Sequence, residues 1–573
     1  MAVSAVPKIL AHLLAYHGIT DIVVSSGSRN APLIHEVSKI PSIKLHTVID
    51  ERCAGFVALG MSLRQEKLVG LICTSGTALL NYAPAVAEAY YRNQPIIVIS
   101  ADRPMQWIDQ DDGQTIRQFN ALSNIVKSSY NVIPCSNEEE SIWYANRIIN
   151  EALLNAKNNV RGPVHINIPI DLPYIEASNE EIPTSVYRGI DYIFPRSILP
   201  LAEVRTLINE FIDKKIAVIV GTHQPDAKLS KALSRLAHLP NVVVFHEAQS
   251  NVKGLSRSVG SIDSVISVIP ERIRSTMYPD LLISLGGTLV SQKIKVWLRN
   301  APCSITHWQL GSSLSQPIKD TYKHLAKYIN AEPAPFFNAL AATLSKNNRI
   351  LNSHEGTEYT ETWHKYTQKA KDLTSEYADQ VPWSDFTAVR NLFAKLNSSV
   401  NLHISNGLSI RYAQISSYEN VHRIDANRGC NGIDGSTSTA IGAAIGCKLS
   451  TVLLTGDMSA LYDLGALTIK EIPDNFSMFI LNNKGGDIFR FIGNTCHLEI
   501  CEERLAVPNS FKFKELSQAF NFKYAKLTSI ENIEYACSLA LAGNGPYLFE
   551  IDTTQAHNSQ IFRDYFIYLK SKS

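Results

Sequence analysis

The chain has 573 residues, of which 45% are hydrophobic and 19% are charged, and its formal net charge is +1. This length exceeds what a single hydrophobic core supports, so we expect roughly two to four domains. The near-neutral charge argues against bulk attraction to nucleic acid or to an anionic membrane, and any basic character must therefore be local.

The segment from Met1 to Val24 is apolar but is interrupted by His12, Tyr16 and His17, and no charged leader precedes an unbroken apolar run. We interpret it as a first helix that leads into a strand, and not as a signal peptide. No run reaches the roughly 20 apolar residues that span a bilayer, so we expect a cytoplasmic protein without a membrane partner. The nine cysteines show no paired spacing, which favours free thiols over a structural zinc site.

Strand-length apolar runs alternate with helical segments from Met1 to about Leu172, and this alternation predicts a mostly parallel, doubly wound sheet. One run ends at Asp50-Glu51-Arg52 and is followed by a small-residue helix, which places Glu51 at the carboxyl edge of the sheet. Taken alone, a glutamate in a first helical turn is more often a partner of the helix dipole than a catalyst. The runs are Ile22–Val24, Lys44–Ile49, Leu68–Cys73, Ile96–Ser100 and Val164–Ile168.

A Pro-bearing stretch from Asn167 to Pro195 breaks the alternation, and we interpret it as a linker. A second α/β region follows, and its strand ends offer no acidic residues suited to clamp a metal. Its predicted strands are Ile216–Val220, Val242–Phe245 and Leu281–Ser284.

The stretch from Asn330 to Trp383 is polar and helix-rich, with interruptions at Asn347-Asn348 and His354-Glu355-Gly356, and we interpret residues 346–379 as a helical connector. A third α/β region runs from about Ser398 to the end. We therefore predict three α/β domains, at residues 1–180, 190–345 and 380–573. The strands predicted in the third region are Leu402–Ser405, His422–Asp425, Thr451–Leu454, Ser477–Leu481 and Tyr547–Ile551.

The third region also carries a pattern typical of a metal and diphosphate site. Asp457 follows one buried strand and Asn483 follows the next, with helical periodicity at Ala460–Lys470 between them. Both side chains should emerge at the carboxyl edge of a parallel sheet, where such sheets bind ligands. A carboxylate, an amide oxygen and the Gly485 carbonyl are hard oxygen donors that suit Mg²⁺ held jointly with phosphates.

Segments from both ends of the chain together resemble the thiamine-diphosphate-dependent decarboxylase family. In that family an N-terminal domain carries one such glutamate, and a C-terminal domain carries Gly-Asp-Gly followed by Asn-Asn. Several segments are similar to one carbon–carbon bond-forming synthase in particular. The segments are Ser26-Gly27-Ser28-Arg29-Asn30-Ala31-Pro32-Leu33, Asp50-Glu51-Arg52, Thr74-Ser75-Gly76-Thr77-Ala78, Ser100-Ala101-Asp102-Arg103-Pro104, Gln114-Thr115-Ile116-Arg117-Gln118, Asn427-Arg428-Gly429 and Gly432-Ile433-Asp434-Gly435.

The resemblance implies three doubly wound parallel-sheet domains, named pyrimidine-binding, middle and diphosphate-binding, with thiamine diphosphate and Mg²⁺ or Mn²⁺ as cofactors. Glu51 would hydrogen-bond the aminopyrimidine ring and promote loss of the thiazolium C2 proton. Ile433 would be an apolar wedge that keeps the cofactor bent, although an ordinary core isoleucine is an equally good interpretation. The metal ligands would be Asp457, Asn483 and the Gly485 carbonyl. Backbone N–H groups just before a helix would bind the diphosphate, and they belong to Met458, which replaces the family's usual glycine, and to Ser459.

The resemblance also implies two polyanionic substrates, 2-oxoglutarate, which is decarboxylated, and isochorismate, which accepts the resulting carbanion. Two such substrates require several fixed cations, preferably arginine because it binds carboxylates with two hydrogen bonds. Asn406-Gly407 stands where the family tends to have Asn-Ser, and Gln292-Lys293 where a more basic pair is common. The positions that match the family's substrate site are Ser28, Arg29, Arg103, Gln114, Lys293, Arg411, Arg428, Ile488 and Phe489.

In this family the cofactor lies between the first region of one subunit and the third region of another, which implies a homodimer or homotetramer. We assign no role to the segment Gly493–Ala506. Other functions stay open, namely an acetolactate-synthase-like or oxalyl-type decarboxylase, and a binding protein that has kept the fold without catalysis. A nicotinamide-dependent dehydrogenase is disfavoured because no predicted strand leads into the G-x-G-x-x-G fingerprint.

Overall fold

The computed structural model describes residues 5–133, 138–158, 160–171, 186–311 and 318–573. Within these residues the strands form three sheets, of six, five and six strands, each in one of the predicted α/β regions. This confirms the α/β fold class. The predicted domain boundary at residue 180 and residues 172–185 of the predicted linker lie outside the described residues, so the domain limits stay a prediction.

The first sheet has the strand order β2-β1-β3-β4-β6-β5, and all its neighbouring strands are parallel. Its strands are β1 (Asp21–Val24), β2 (Lys44–Thr47), β3 (Val69–Cys73), β4 (Ile96–Asp102), β5 (Ser129–Asn131) and β6 (Val164–Pro169). The α-helices of this region are α1 (Ala5–Tyr16), α2 (Ala31–Ser38), α3 (Glu51–Gln65), α4 (Thr77–Asn81), α5 (Ala83–Tyr91) and α6 (Glu138–Lys157).

The second sheet has the order β11-β10-β9-β7-β8 and is also parallel throughout. Its strands are β7 (Ile216–Val220), β8 (Val242–His246), β9 (Leu281–Leu285), β10 (Thr306–Gly311) and β11 (Leu325–Asn330). The α-helices of this region are α7 (Leu201–Thr206), α8 (Ala227–Leu236), α9 (Ile262–Val268), α10 (Gln292–Arg299), α11 (Pro333–Leu344) and α12 (Asn348–Leu351).

The predicted connector contains α13 (His354–Gln380), a helix of 27 residues. We expected an interruption at His354-Glu355-Gly356, but the helix begins there because the Ser353 hydroxyl accepts the N–H of Gly356 at 3.0 Å. The helix also has a large buried face. Its Trp363 is fully buried, and the ring packs edge-on against Phe245 of β8 at 4.8 Å between centroids. The segment is therefore part of the hydrophobic core.

The third sheet has the order β13-β12-β14-β15-β17-β16. Its strands are β12 (Val400–Ile404), β13 (Arg423–Asp425), β14 (Ser450–Gly456), β15 (Phe476–Asn482), β16 (Lys523–Leu527) and β17 (Tyr547–Asp552). The α-helices are α14 (Asp385–Lys395), α15 (Ser409–Gln414), α16 (Ser436–Ala444), α17 (Asp457–Tyr462), α18 (Asp487–Phe491), α19 (Gly493–Cys496), α20 (Phe513–Ala519), α21 (Ile530–Ala542) and α22 (Asn558–Ser571).

The helix expected at Ala460–Lys470 is only partly present. The α-helix α17 ends at Tyr462, and a 3₁₀ segment, Leu464–Thr468, follows it. The change coincides with the buried Asp463, whose carboxylate accepts the Ser438 N–H at 2.7 Å and the Ser438 hydroxyl at 2.9 Å. Helical periodicity therefore predicted a helical segment here but not its division into an α-helix and a 3₁₀ segment.

The chain forms two compact units. The first comprises Met1–Phe194, Gly429–Thr451 and Ser459–Phe476, and the second comprises Pro195–Arg428, Val452–Met458 and Ser477–Ser573. None of the described helices is long and apolar enough to cross a membrane.

In the first unit, α3 and α16 touch through their backbones. A Cβ atom added to Gly60 would lie 2.0 Å from the Thr439 carbonyl oxygen, and one added to Gly442 would lie 2.1 Å from the Val57 carbonyl oxygen. Both distances are far below van der Waals contact, so only glycine fits at these two positions. Because α3 begins at Glu51, this contact helps to position the predicted catalytic residue.

Candidate active site

Asp457 is held in place at the carboxyl end of β14, as the sequence predicted. Its side chain is 1% exposed, and its carboxylate accepts the N–H groups of Met458 and Gly485, each at 2.7 Å, and Nδ2 of Asn509 at 3.0 Å. Burial raises the pKa of this carboxyl to about 6, although these three donors oppose the shift. None of these three hydrogen-bond donors is cationic, although the charge of Arg490 also opposes the shift, and such a buried carboxylate is suited to a bound cation.

Asn483 follows β15 and presents an oxygen with no partner. Its Nδ2 donates to Oδ2 of Asp385 at 2.7 Å, and its buried Oδ1 has no hydrogen-bond partner among the described residues. Asp385 therefore decides which end of the amide is left available, and that end is the acceptor. Burial raises the pKa of Asp385 to about 7, opposed by its hydrogen bonds from Thr553 and Asn483. The unpartnered oxygen fits a hard cation such as Mg²⁺.

Gly485 needs to be glycine. Its φ angle is +123°, and an added Cβ would lie 2.5 Å from the carbonyl oxygen of Ala506, so a side chain is excluded by both conformation and space. Ala506 also accepts the N–H of Gly486 at 2.7 Å. The segment Gly493–Ala506, to which we assigned no role, therefore contacts the loop that contains Gly485 and Gly486.

Two cofactor positions were predicted only approximately. Met458 and Ser459 lie in the first turn of α17 and not before it, and the Met458 N–H already donates to Asp457. In the first unit, the Ser459 hydroxyl donates to the Ile433 carbonyl at 2.6 Å. The side chain of Ile433 is 38% exposed, which disagrees with its interpretation as an ordinary core isoleucine.

Glu51 opens α3 beside a cavity in the first unit. The Asp50 carboxylate caps the helix by accepting the Cys53 N–H at 3.1 Å, and Oε2 of Glu51 accepts Nδ2 of Asn81 at 3.1 Å. The cavity has a volume of about 240 Å³ and is lined by Glu51, by residues 74–78 and by residues 112 and 114–116, which include Gln114. The structure thus brings together three of the segments on which the resemblance depends.

The two arginines predicted to bind substrate in the first unit, Arg29 and Arg103, lie near each other. Arg29 is 5% exposed and donates to the Ile170 carbonyl at 2.8 Å, and Arg103 pairs with Asp112 at 3.0 Å. Burial, and secondarily the nearby Arg103, lowers the pKa of Arg29. Two neighbouring guanidinium groups favour an anion between them. Ser28, next to Arg29, is exposed.

In the second unit, Arg411 and Arg428 both hydrogen-bond to the loop that contains Asn406 and Gly407. Arg411 donates to the Gly407 carbonyl at 2.6 Å, and Arg428 donates to Oδ1 of Asn406 at 2.9 Å. Burial lowers the pKa of Arg411. Because Gly407 adopts φ +96°, the residue that departs from the family pattern also sets the course of this loop.

Lys293 has different surroundings. Its ammonium group donates to the Ser267 hydroxyl and lies 3.8 Å from the ring centre of Phe566, in a groove of about 560 Å³ that Arg274 and Lys570 also line. Lys293 lies on α10, and the buried cation of that helix is Lys295, which sequence reasoning missed. Burial lowers the pKa of Lys295. The charge of Glu247 opposes this shift and the charge of Arg428 reinforces it, so the Lys295 ammonium lies near both charged groups.

The apolar candidates Ile488 and Phe489 lie on α18, and both are partly buried. Ile488 packs against the main hydrophobic cluster of the second unit. Sequence reasoning missed two polar residues of the site, Asp385 and Asn509, because neither stands in a segment that carries the resemblance. Their roles depend on contacts formed only in the folded chain.

The fold and the site define a thiamine-diphosphate-dependent enzyme, and residues 5–142 match the family described as the thiamine pyrophosphate enzyme, N-terminal TPP binding domain. The chain is 35% identical over 571 residues to the 2-succinyl-5-enolpyruvyl-6-hydroxy-3-cyclohexene-1-carboxylate synthase of Porphyromonas gingivalis, covering 99% of this chain and 97% of the relative. The chain is 34% identical to the synthase of the same name from Bacteroides thetaiotaomicron, covering 98% of this chain and 98% of the relative. It is 35% identical to that from Flavobacterium psychrophilum, covering 96% of this chain and 96% of the relative. The chain belongs to this synthase family, which confirms the resemblance.

Proposed function

We propose that the protein decarboxylates 2-oxoglutarate and adds the resulting succinyl carbanion to isochorismate, giving 2-succinyl-5-enolpyruvyl-6-hydroxy-3-cyclohexene-1-carboxylate and CO₂ in menaquinone biosynthesis. The observation that carries this proposal is the near full-length similarity to synthases of that name. The chemistry of the arginine pairs supports it, because both substrates are polyanions.

Thiamine diphosphate supplies the carbanion chemistry when it is bound. Glu51 would accept a hydrogen bond from the aminopyrimidine ring and so favour the tautomer needed for that chemistry. Asp457, the Oδ1 of Asn483 and the Gly485 carbonyl would hold Mg²⁺ or Mn²⁺, which the unpartnered Asn483 oxygen supports. Ile433 would act as an apolar support for the cofactor, in keeping with its exposed side chain.

The predicted substrate residues bind and orient the carboxylates. Arg29 and Arg103 provide one cationic pair and Arg411 and Arg428 the other, with Ser28, Gln114, Ile488 and Phe489 completing the lining. The contacts of Lys293 with Ser267 and Phe566 support only an outer position for it.

We propose in addition that the protein acts as a homodimer or homotetramer in the cytoplasm. Glu51 belongs to the first unit and Asp457 to the second, and in our proposal each active site takes these residues from different subunits.

The test is a two-substrate assay with thiamine diphosphate, Mg²⁺, 2-oxoglutarate and isochorismate, scored by CO₂ release and product mass. The expected result is a product that requires both substrates. A parallel reaction with pyruvate distinguishes the acetolactate-synthase-like alternative, and pyruvate as the sole productive donor would overturn the proposal.

A further inference from the structure

Glu247 is a buried carboxylate to which the proposed mechanism gives no task. It directly follows β8 and is 2% exposed. Its oxygens accept the N–H groups of Val290 and Ser291, each at 2.7 Å, and Nε2 of Gln249, also at 2.7 Å. Ser291 caps α10, the helix that carries Lys293 and Lys295. Glu247 therefore fixes the start of α10, which carries both lysines.

The same network reaches the helix that carries Arg411. Gln414, one turn after Arg411 on α15, accepts the Ala248 N–H at 3.0 Å through Oε1 and donates from Nε2 to Oε1 of Gln249 at 3.1 Å. Gln249 is fully buried, so these hydrogen bonds form away from solvent. The middle region is thus joined to α15 by direct polar contacts.

A second link joins the middle region to β13, the strand that leads to Arg428. Asn251 adopts φ +51°, and its amide pairs with the backbone of Ile424, donating to the carbonyl at 2.9 Å and accepting the N–H at 2.8 Å. Such a two-bond match fixes the register of the strand end as well as its distance. The five residues that follow β8, Glu247 to Asn251, therefore bond both to the helix that carries Arg411 and to the strand that precedes Arg428.

We propose that Glu247 is a positioning residue for substrate binding, which holds Arg411 and Arg428 in place through Gln249, Gln414 and Asn251. This inference rests on the proposed function, since it assumes that the two arginines bind substrate carboxylates. Burial raises the pKa of Glu247 to about 7, opposed by the hydrogen bonds from Val290 and Ser291 and, to a smaller extent, by the charge of Arg428.

The test is steady-state kinetics of the holoenzyme with Glu247→Gln. The substitution keeps the size of the side chain but removes its charge and places an NH₂ group against the Val290 or Ser291 N–H. The KM for at least one of the two substrates should rise about tenfold, as expected for loss of a charged hydrogen bond, with a much smaller change in kcat. Gln414→Met removes the link to α15 alone and decides the question if Glu247→Gln fails to fold.

The matched control is Asn241→Ala, at the other end of β8. Asn241 is also buried and donates to the Phe211 and Lys214 carbonyls at 3.1 Å and 2.9 Å, so its loss should lower the unfolding temperature and leave both KM values unchanged. If the wild-type enzyme makes no product from 2-oxoglutarate and isochorismate, the proposed function is wrong. If the wild type is active and both KM values are unchanged in Glu247→Gln and Gln414→Met, the positioning role is wrong.

Discussion

Asp385 determines which end of the Asn483 amide faces the proposed cation, and Asp385→Ala tests this role. The hydrogen bond from Asn483 Nδ2 to Asp385 Oδ2 is 2.7 Å long, and a hydrogen bond to a charged group contributes about 1.5–3 kcal/mol. Since about 1.4 kcal/mol corresponds to a tenfold change in affinity, loss of this bias should weaken Mg²⁺ binding substantially. We expect a loss of roughly 10- to 100-fold, the range found for residues that orient metal ligands.

The assay is a calorimetric titration of Mg²⁺ in the presence of thiamine diphosphate. Thr553→Val is the matched control, because the Thr553 hydroxyl donates to the other oxygen of Asp385 at 2.6 Å and its removal leaves the bond to Asn483 in place. The control should unfold at a lower temperature and bind Mg²⁺ as the wild type does. An Asp385→Ala variant with wild-type Mg²⁺ affinity would refute the orienting role.

Three further outcomes are expected. Glu51→Gln should lower kcat by about 10²- to 10⁴-fold with little change in unfolding temperature, because the side chain is only partly buried, and wild-type turnover would exclude Glu51 from the proton transfer. Asn509→Ala removes a donor to Asp457 and should weaken cofactor binding with Mg²⁺ about tenfold, as titration calorimetry can measure, and unchanged binding would contradict its supporting role. Burial raises the pKa of Glu247 from 4.5 to about 7, so the folded protein binds this proton more tightly than the unfolded chain. The resulting stabilisation is complete below pH 4.5 and is lost as the pH rises to about 7. Urea denaturation of the wild type should show a pH slope there that is smaller in Glu247→Gln, in which the other buried carboxyls, such as Asp385 and Asp457, still contribute.

The buried strands were predictable because a short run of apolar residues, too short for a helix, is most readily buried as a strand inside a parallel sheet. All strands predicted in the three regions are present. Four of the described strands were missed, of which β5, β11 and β16 lie at sheet edges, where burial on both faces is not required, whereas β10 has a neighbouring strand on each side. β5 has the sequence Ser-Tyr-Asn, and β16 begins at the exposed Lys523 and has only its last residue fully buried.

The positions of Asp457 and Asn483 were predictable because each follows directly after a strand, and neighbouring parallel strands end at the same edge. The residues that orient them were not predictable. Asp385 lies 98 positions from Asn483 and Asn509 lies 52 from Asp457, and no local pattern marks such a pair. The type of helix after Asp457 was also missed, because an acidic side chain buried within the segment accepts hydrogen bonds from a distant helix.

The backbone contact between α3 and α16 limits how this enzyme can be redesigned. A glycine inside a helix costs about 1 kcal/mol relative to alanine, and Gly60 and Gly442 are both placed where that loss is compensated by close approach. A mutant library aimed at new donor substrates should therefore leave both glycines fixed, since any side chain there would push the glutamate-bearing helix off its neighbour. Variation is better directed at the loops at residues 74–76 and 112–116 that face the 240 Å³ cavity, because they take no part in this contact between helices.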